Sequence, residues 1–445
     1  MPNGSKLPPD FGAKNLTDYV NLGRGKMSSA YRQLAGATGI RTGGGFVARL
    51  AAFTGDWKNY PAWIGHVWKY FGGKRYPFPK YANPNEGVFP LADEAKLSIA
   101  GDWGTGTDEA KQITDQMKAG NPDYTIHLGD VYYVGDSPEV KEHCLGEAAQ
   151  TPEGTAVKWQ LGTRGSFALN GNHEMYALGT AYFREFLPTL GPIDPGTGKP
   201  AGQKTSYFCL RNKYWRVIAL DTGYYSTGFS TVLSFLGQIK WIQWFRKTTW
   251  FKPSCKLPDE ITEWLPSVLK PDPDGSQQGL ILLSHHQYYS GFDDWYATPA
   301  EQLQPLIKDR TVLWYWGHEH RMALYDQFKK GKGINAFGRC VGHGGMPVSL
   351  SDPDIKECDC ILYDKRAYPN NENIQVGYNG YINLRFKGPQ LCVDYFDVHN
   401  TLLLTEQWKT DPAGKLSGPL FSSVHPDLSQ GDADYIRKHL SPVKP

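Results

Sequence analysis

Metal-ligand side chains recur in five short motifs along this 445-residue chain. In chain order the motifs are Gly101-Asp102-Trp103-Gly104, Gly129-Asp130-Val131-Tyr132-Tyr133, Gly171-Asn172-His173-Glu174, Leu282-Leu283-Ser284-His285 and Gly317-His318-Glu319-His320. Carboxylates, an amide, a phenol and imidazoles are common metal ligands, and this set contains enough of them for two ions. A single Gly-Asp pair is more often a turn, but five such motifs in one chain predict a binuclear metal centre.

The types of donor divide the set between a trivalent and a divalent ion. Two cations about 3.5–4 Å apart repel each other, so a shared anionic oxygen must lie between them, and Asp130 is the predicted bridge. Asp102 and a phenolate from Tyr133 add hard anionic oxygens, which favour a trivalent ion such as Fe(III). The neutral donors, which suit Fe(II), Zn(II) or Mn(II), are Asn172, His285 and His318.

His173 lies in the third motif but is predicted to act on the substrate rather than on a metal. Water bound to a metal becomes acidic enough to give hydroxide near neutral pH, and this hydroxide is a nucleophile suited to hydrolysis. The leaving group then needs a proton, which the imidazole of His173 can supply. The alternative is that His173 only orients the neighbouring Asn172. Glu174 is interpreted either as a residue that fixes this imidazole or as a loop carboxylate.

Each motif follows a short apolar run that predicts a buried strand. The runs are 97–100, 124–128, 167–169, 280–283 and 312–316. In open α/β sheets the loops that leave the carboxyl ends of the strands converge on one crevice, so the five motifs are predicted to meet there. The glycines that precede the ligands are expected to let the backbone turn sharply at these points.

The remaining patterns divide the chain into three regions. They are a helical N-terminal segment and linker at 1–95, a catalytic domain at 96–410 and a C-terminal tail at 411–445. Helical spacing of apolar residues occurs at 16–35, 45–70, 108–118 and 236–247. A hairpin is predicted from 206–210 and 215–220, and antiparallel strands from 381–386, 392–398 and 402–408. These assignments follow from the spacing of apolar residues and from the turn residues between the runs.

The composition excludes several functional classes. Lys and Arg number 47 against 45 Asp and Glu, so there is no strong overall charge to attract nucleic acid or a membrane surface. Aromatic residues make up 13 % of the chain, which is incompatible with general disorder. The N-terminus lacks the apolar run of a secretory signal, and no stretch reaches the ~18 apolar residues of a membrane helix. The default expectation is therefore a cytoplasmic protein with a small-molecule substrate.

The motif set resembles the calcineurin-like metallophosphoesterase superfamily and, within it, the purple acid phosphatases. Most of the superfamily carries Asp-x-His in its first motif, where this chain has Asp102-Trp103-Gly104. Tyr133, three residues after Asp130, occupies the place of the iron-binding tyrosine of the purple acid phosphatases. The resemblance covers about 96–345. It implies a four-layer α/β/β/α sandwich, here preceded by the small helical N-terminal segment.

The resemblance also implies two ligand sets that share Asp130. The predicted ligands of Fe(III) are Asp102, Asp130, Tyr133 and His320, and those of the divalent ion are Asp130, Asn172, His285 and His318. Motif position favours His285 over the adjacent His286 as the ligand. His286 is then interpreted as a residue behind the ligands or facing the substrate. The candidate substrate-binding residues are His286, His343 and Tyr176.

The function implied is hydrolysis of phosphate monoesters by a metal-bound hydroxide, as in purple acid phosphatases, with a small-molecule phosphate ester as substrate. One alternative keeps this site but changes the substrate to a phosphodiester, such as a cyclic nucleotide or a glycerophosphodiester. The other is a non-catalytic, metal-bound interaction module. The complete ligand set together with His173 favours an enzyme over such a module.

Overall fold

The computed structural model describes residues 73–132, 134–147, 156–227, 253–329, 331–354, 359–368 and 377–441. Tyr133 and the predicted helices at 16–35, 45–70 and 236–247 lie outside the described residues. Residues 73–87, at the end of the predicted N-terminal region, contain neither helix nor strand, and a short strand follows them.

Seventeen strands form two large sheets within the described residues. They are β1 (Val88–Pro90), β2 (Glu94–Ala100), β3 (Tyr124–His127), β4 (Gly165–Ala168), β5 (Gly191–Pro192), β6 (Phe208–Arg211), β7 (Trp215–Ala219), β8 (Gly279–Ser284), β9 (Thr311–Trp316), β10 (Met322–Phe328), β11 (Asn335–Val341), β12 (Cys360–Tyr363), β13 (Gly380–Lys387), β14 (Gln390–Asp397), β15 (Leu402–Thr410), β16 (Leu416–Ser422) and β17 (Ser429–Gln430). Sheet A has the order β1-β6-β7-β8-β9-β11-β10-β12-β17, and sheet B has the order β16-β15-β14-β13-β2-β3-β4-β5. The predicted strands before the five motifs, the hairpin and the antiparallel strands near the C-terminus are all confirmed.

Within the described ranges, six α-helices lie on the outer faces of the sheets or at the strand ends. They are α1 (Asp108–Gly120), α2 (Ser137–His143), α3 (Asn172–Tyr176), α4 (Asp259–Leu269), α5 (Thr298–Ile307) and α6 (Ala433–Lys438). A π-helical turn (Tyr182–Phe186) and a 3-10 turn (Leu187–Thr189) follow α3. None of the helices in the described ranges is long and apolar enough to cross a bilayer.

In the described part of the chain, three clusters of buried apolar side chains fill the spaces between the layers. One lies between the sheets and combines side chains of sheet A, such as Val217 and Leu313, with side chains of sheet B, such as Ile99 and Ile382. A second packs α4 and α5 on the outside of sheet A, and a third packs α1 and α2 on the outside of sheet B. This arrangement is the expected four-layer α/β/β/α sandwich.

Each sheet contains one set of neighbouring parallel strands that precedes the predicted site residues. In sheet B, β2, β3 and β4 run parallel, and in sheet A the same is true of β7, β8, β9 and β11. Because the loops after these strands leave at their carboxyl ends, residues from both sheets can contribute to one site.

Residues 411–445, which the sequence assigns to a tail, contribute to both sheets. β16 pairs antiparallel with β15 at one edge of sheet B, and β17 pairs with β12 at one edge of sheet A. After α6, the backbone of His439 and Ser441 forms hydrogen bonds of 2.7 Å with Phe421 in β16. β16 contains Gly, Pro and Ser residues and β17 has only 2 residues, which is why apolar periodicity does not reveal them.

A fully buried ion pair joins the sheets inside the core. The guanidinium of Arg339 in β11 donates to the carboxylate of Glu406 in β15, and both residues are 0 % exposed. Tyr395 adds a hydrogen bond of 3.0 Å to Glu406, and Arg339 also donates to the backbone carbonyl of Tyr325. The charges are thus compensated by several hydrogen bonds, which is the condition under which a buried ion pair is tolerated.

We expect the substitution Arg339→Met to lower the free energy of unfolding by about 3–5 kcal/mol, because it leaves Glu406 buried without its partner. The matched control is Arg437→Met. The side chain of Arg437 is 69 % exposed and pairs with Asp434, which is 72 % exposed, so its loss should cost about 0–1 kcal/mol. Urea denaturation followed by circular dichroism measures both values. Equal losses in the two variants would contradict the role assigned to the inter-sheet pair.

Candidate metal centre

The predicted ligands meet at the carboxyl ends of the parallel strands. Asp102 follows β2, Asp130 follows β3, and Asn172 begins the short helix α3 after β4, so sheet B supplies these three. His285 follows β8 and His318 follows β9, both in sheet A. Ligand atoms of Asp102, Asp130 and His285 lie within 4.8 Å of one another. The site therefore spans the two sheets.

Three of these residues occupy the left-handed region of backbone conformation, which is energetically costly for residues other than glycine. Asp102 has φ +56°, Asp130 has φ +73° and His318 has φ +66°. The glycines were expected to make these turns, but the turning residues include the ligands themselves. Gly317 instead provides space, since a Cβ atom there would lie 2.6 Å from Oδ2 of Asp102. Such strain is retained where the surrounding structure forces it, and it is concentrated at functional sites.

One group of donors surrounds what we call the first position. The hydroxyl oxygen of Tyr132 lies 2.6 Å from Oδ1 of Asp102, 3.1 Å from Oδ2 of Asp130 and 2.9 Å from Nε2 of His320. These distances bring three oxygens and one imidazole nitrogen to a common point. Burial and the two carboxylates raise the pKa of Tyr132 well above its ordinary value.

Tyr132 was not among the expected ligands, and Tyr133, which was, lies outside the described residues. The backbone N–H of Tyr132 donates to the carbonyl of Gly104 at 2.8 Å, and Val131 forms a parallel bridge with Gly104. These contacts tie the start of the β3 loop to the loop after β2, and the Tyr132 phenol then reaches Asp102. The sequence signal for it was the pair of adjacent tyrosines, of which only Tyr133 has the spacing of the family.

The remaining donors surround a second position, which shares Asp130 with the first. Nε2 of His285 lies 3.2 Å from Oδ2 of Asp130, 3.1 Å from Oδ1 of Asn172 and 3.3 Å from Nδ1 of His318. Tyr176 accepts a hydrogen bond of 3.1 Å from Nδ2 of Asn172, which turns the amide oxygen of Asn172 towards His285. The second position thus combines two oxygens and two nitrogens.

The hydrogen bonding of His285 requires a positive charge at this point. Its Nδ1 lies 3.0 Å from the carbonyl oxygen of Leu128 and can only donate there, so Nε2 faces the oxygens of Asp130 and Asn172. Only a proton or a metal ion on Nε2 makes that arrangement favourable. Burial lowers the pKa of His285, but the charges of Asp130 and Asp102 outweigh burial and raise it to about 9. The donor set therefore fits a cation, and the bond to Leu128 is the support that metal-binding histidines generally have.

Asp130 is arranged as a shared anion. Burial alone would raise its pKa, but His285 and His173 hold the pKa well below its ordinary range. Its Oδ1 accepts the backbone N–H of His173 at 3.0 Å, while Oδ2 faces Tyr132 and His285. One oxygen of Asp130 thus reaches the donors of both positions.

His173 lies at the opening of the site. Its side chain is 20 % exposed, its Nε2 is 3.8 Å from Oδ2 of Asp130, and its ring packs on Tyr132 with centroids 4.2 Å apart. Glu174, for which two roles were considered, accepts the backbone N–H groups of Asp130 (3.2 Å) and Gly171 (3.0 Å). These bonds join the second and third motifs, a function of the carboxylate that the sequence did not indicate.

The three expected substrate-binding residues have different surroundings. Tyr176 contacts Asn172 as described, and His286 lies beside the second position, with its ring centroid 4.5 Å from that of His318. The ring of His343 packs closely against Gly380 at the start of β13. A Cβ atom added to Gly380 would lie only 2.6 Å from Nε2 of His343. Burial lowers the pKa of His343 to about 4. A substrate contact by each of these residues stays a prediction.

Comparison with known families agrees with this geometry. Residues 95–322, half of the chain, match the sequence profile of the calcineurin-like phosphoesterases. The chain belongs to the calcineurin-like phosphoesterase family. Proteins of this family are phosphoesterases that use a pair of metal ions. Among curated proteins, no match to the sequence is found.

Several solved structures are similar to this chain. The purple acid phosphatase PPD1 from yellow lupin (Lupinus luteus) has 15 % identity and a TM-score of 0.40, and the match covers 70 % of this chain but 53 % of the lupin chain. GAP50, described as the anchor in the inner membrane complex of Plasmodium, has 14 % identity, a TM-score of 0.42 and coverage of 79 % and 96 %. PhoD has 13 % identity, a TM-score of 0.42 and coverage of 82 % and 78 %. The chain thus spans about half the length of the lupin phosphatase.

We expect Asp130→Asn to abolish tight binding of metal, because the substitution keeps the size of the side chain but removes the negative charge shared by the two positions. Metal content per chain after dialysis, measured by plasma mass spectrometry, is the test. The control is Asp364→Asn, which alters a carboxylate that is also buried but pairs with Arg366 away from the site. An Asp130→Asn protein that retains the metal content of the unaltered protein would rule out Asp130 as the bridge.

Proposed function

We propose that this phosphoesterase hydrolyses phosphate monoesters at a binuclear centre of the purple acid phosphatase type. The observation that carries the proposal is Asp130, whose Oδ2 is near donors of two different kinds. The first position is rich in hard oxygen donors, which favour Fe(III), whereas the second offers an amide and two imidazoles, which suit Fe(II), Zn(II) or Mn(II). A shared carboxylate between unlike positions is what a mixed-valence or mixed-metal pair requires.

The phenol at the first position has two candidates. Family spacing favours Tyr133, while the contacts with Asp102, Asp130 and His320 favour Tyr132. We assign the ligand to Tyr132, because its oxygen already lies within 3.1 Å of three other donors. Since those neighbours raise its pKa, a highly charged cation is needed to ionise the phenol.

The chemistry that a bound pair of cations supplies is activation of water for attack on phosphorus. The protein's own residues would hold and orient the reacting groups. Leu128 fixes the ring of His285, and Tyr176 fixes the amide of Asn172, so neither ligand has to reorganise. The imidazole of His173 is partly exposed beside Asp130, so a substrate that enters from solvent can contact it. From this place it can donate a proton to the leaving oxygen.

We expect His173→Ala to reduce turnover of an alkyl phosphate by about 10²–10⁴-fold, the usual contribution of a positioned general acid. Turnover of p-nitrophenyl phosphate should fall much less, because nitrophenolate leaves without a proton. The measurement is kcat for esters whose leaving groups differ in pKa, with metal content checked in parallel. Equal reductions for all leaving groups would mean that His173 only orients Asn172.

We expect Tyr132→Phe to bleach the phenolate-to-iron charge-transfer band of the iron-loaded protein, and the matched variant Tyr133→Phe to retain it. The reason is that only an oxygen bonded to Fe(III) gives rise to the visible band. Absorption spectra of the two variants at equal iron content make the comparison. Bleaching in Tyr133→Phe alone would return the role to the residue that the sequence predicts.

The substrate class is tested by comparing an aryl phosphate monoester with the corresponding diester, using metal-replete protein. Preference for the monoester at acidic pH is the result the proposal requires. Preference for the diester would move the protein to the cyclic nucleotide or glycerophosphodiester alternative. Failure to turn over either ester, with both metals bound, would favour a non-catalytic module.

A further inference from the structure

Thr222, a residue in none of the five motifs, supports one side of the site. It lies after β7 in sheet A and is 0 % exposed. Its Oγ1 is 3.0 Å from the backbone nitrogen of His286 and 3.1 Å from Nδ1 of the same residue. A single buried hydroxyl thus contacts both the main chain and the ring of His286.

The main chain of His286 is also fixed from the other side. The hydroxyl of Ser284 donates to the carbonyl of His286 at 2.8 Å, and Nε1 of Trp314 donates to the Ser284 oxygen at 2.8 Å. With its backbone held by Ser284 and Thr222, His286 has little freedom to change the direction of its ring. The ring direction is therefore a property of the fold.

The hydroxyl of Thr222 determines which ring nitrogen of His286 carries the proton. A hydroxyl has one proton to donate, and its oxygen can accept. The oxygen accepts the backbone N–H of His286, and within the described residues the only acceptor found for the proton is Nδ1. The tautomer that satisfies every group therefore has a bare Nδ1 and a proton on Nε2. The opposite tautomer would leave the buried hydroxyl proton without an acceptor.

The ring of His286 lies against the second position. Its centroid is 4.8 Å from that of His285 and 4.5 Å from that of His318, and one ring nitrogen of each of the three lies within 4.8 Å of the others. A proton on Nε2 makes this nitrogen a hydrogen-bond donor rather than a metal ligand. A donor next to a cation is suited to an anionic oxygen held by that cation.

We propose that Thr222 fixes His286 as an Nε2–H donor to a phosphoryl oxygen of the bound ester. The inference rests on the proposed phosphoesterase site and adds a positioning residue, Thr222, to it. Although the ring is close enough to the second position to suggest a third histidine ligand, the hydrogen bonding of Thr222 opposes that role.

The test compares Thr222→Val, which removes the hydroxyl and keeps the shape, with Thr222→Ser, which keeps the hydroxyl. Inorganic phosphate is the probe, and its affinity for the metal-replete proteins is measured by calorimetry. We expect Thr222→Val to weaken phosphate binding about tenfold, the size of one hydrogen bond to a charged group, with metal content unchanged. Thr222→Ser should restore most of that affinity. In turnover, the loss in the valine variant should appear in KM as well as in kcat.

The inference is overturned if Thr222→Val binds phosphate as tightly as the unaltered protein, or if the valine variant loses a metal ion. Should that variant not fold, His286→Leu against His286→Gln gives the same comparison, because only glutamine can still donate. Loss of metal in His286→Leu would identify His286 as a metal ligand and contradict the proposal. If the unaltered, metal-loaded protein hydrolyses esters but the Thr222 and His286 variants bind phosphate normally, this inference fails while the proposed function stands. If the unaltered, metal-loaded protein hydrolyses no ester, the proposed function itself fails.

Discussion

The mutual repulsion of two buried carboxylates, Asp102 and Asp130, is the constraint on which the site depends. They are 0 % and 1 % exposed, and their ligand atoms lie within 4.8 Å of each other and of His285. At an effective dielectric constant of about 20, two unit charges at that separation repel by about 3 kcal/mol, before the larger cost of removing them from water. The site therefore needs positive charge between them. His285 supplies some when protonated, and a pair of metal ions would supply much more.

The fold divides the predicted ligands between two sheets. Sheet B carries the carboxylates and the amide, and sheet A carries the histidines, so the centre forms only when the two sheets pack correctly on each other. The apolar core between the sheets and the Arg339–Glu406 pair maintain this packing. At the ligand end, the loops are joined more directly, since the backbone N–H of His318 donates to Oδ2 of Asp102 at 2.7 Å. Strained backbone at Asp102, Asp130 and His318 is the cost of aiming short side chains from different strands at one point.

The sequence predicts the strands and the convergence of the motifs well, because buried parallel strands are apolar runs and their ligands follow directly. It predicts less well the contacts that depend on loop geometry. The choice between Tyr132 and Tyr133 depends on how the backbone turns after Asp130, and the spacing of residues in the sequence does not specify that turn. The bonds from Glu174 to backbone N–H groups leave no pattern either, because any nearby carboxylate could make them.

Thr222 illustrates a further limit. It is far from His286 in the sequence and is not a metal-ligand type, so only the pairing of β7 with β8 brings the two together. The strands of 411–445 escape prediction for a different reason: edge strands carry polar residues, and their pairing partners lie elsewhere in the chain. In both cases the missing information is tertiary. The residue types that can bind a metal are visible within a single motif, whereas the residues that hold them in position come from neighbouring strands.

The central claim is that one carboxylate joins two unlike metal positions. Anomalous X-ray diffraction from crystals of the protein loaded with iron and zinc, recorded at each absorption edge, tests it most directly. The account predicts two peaks about 3.5–4 Å apart on either side of Asp130, with iron beside Tyr132 and zinc beside His285 and His318. A single peak, or two peaks that do not share Asp130, would contradict it.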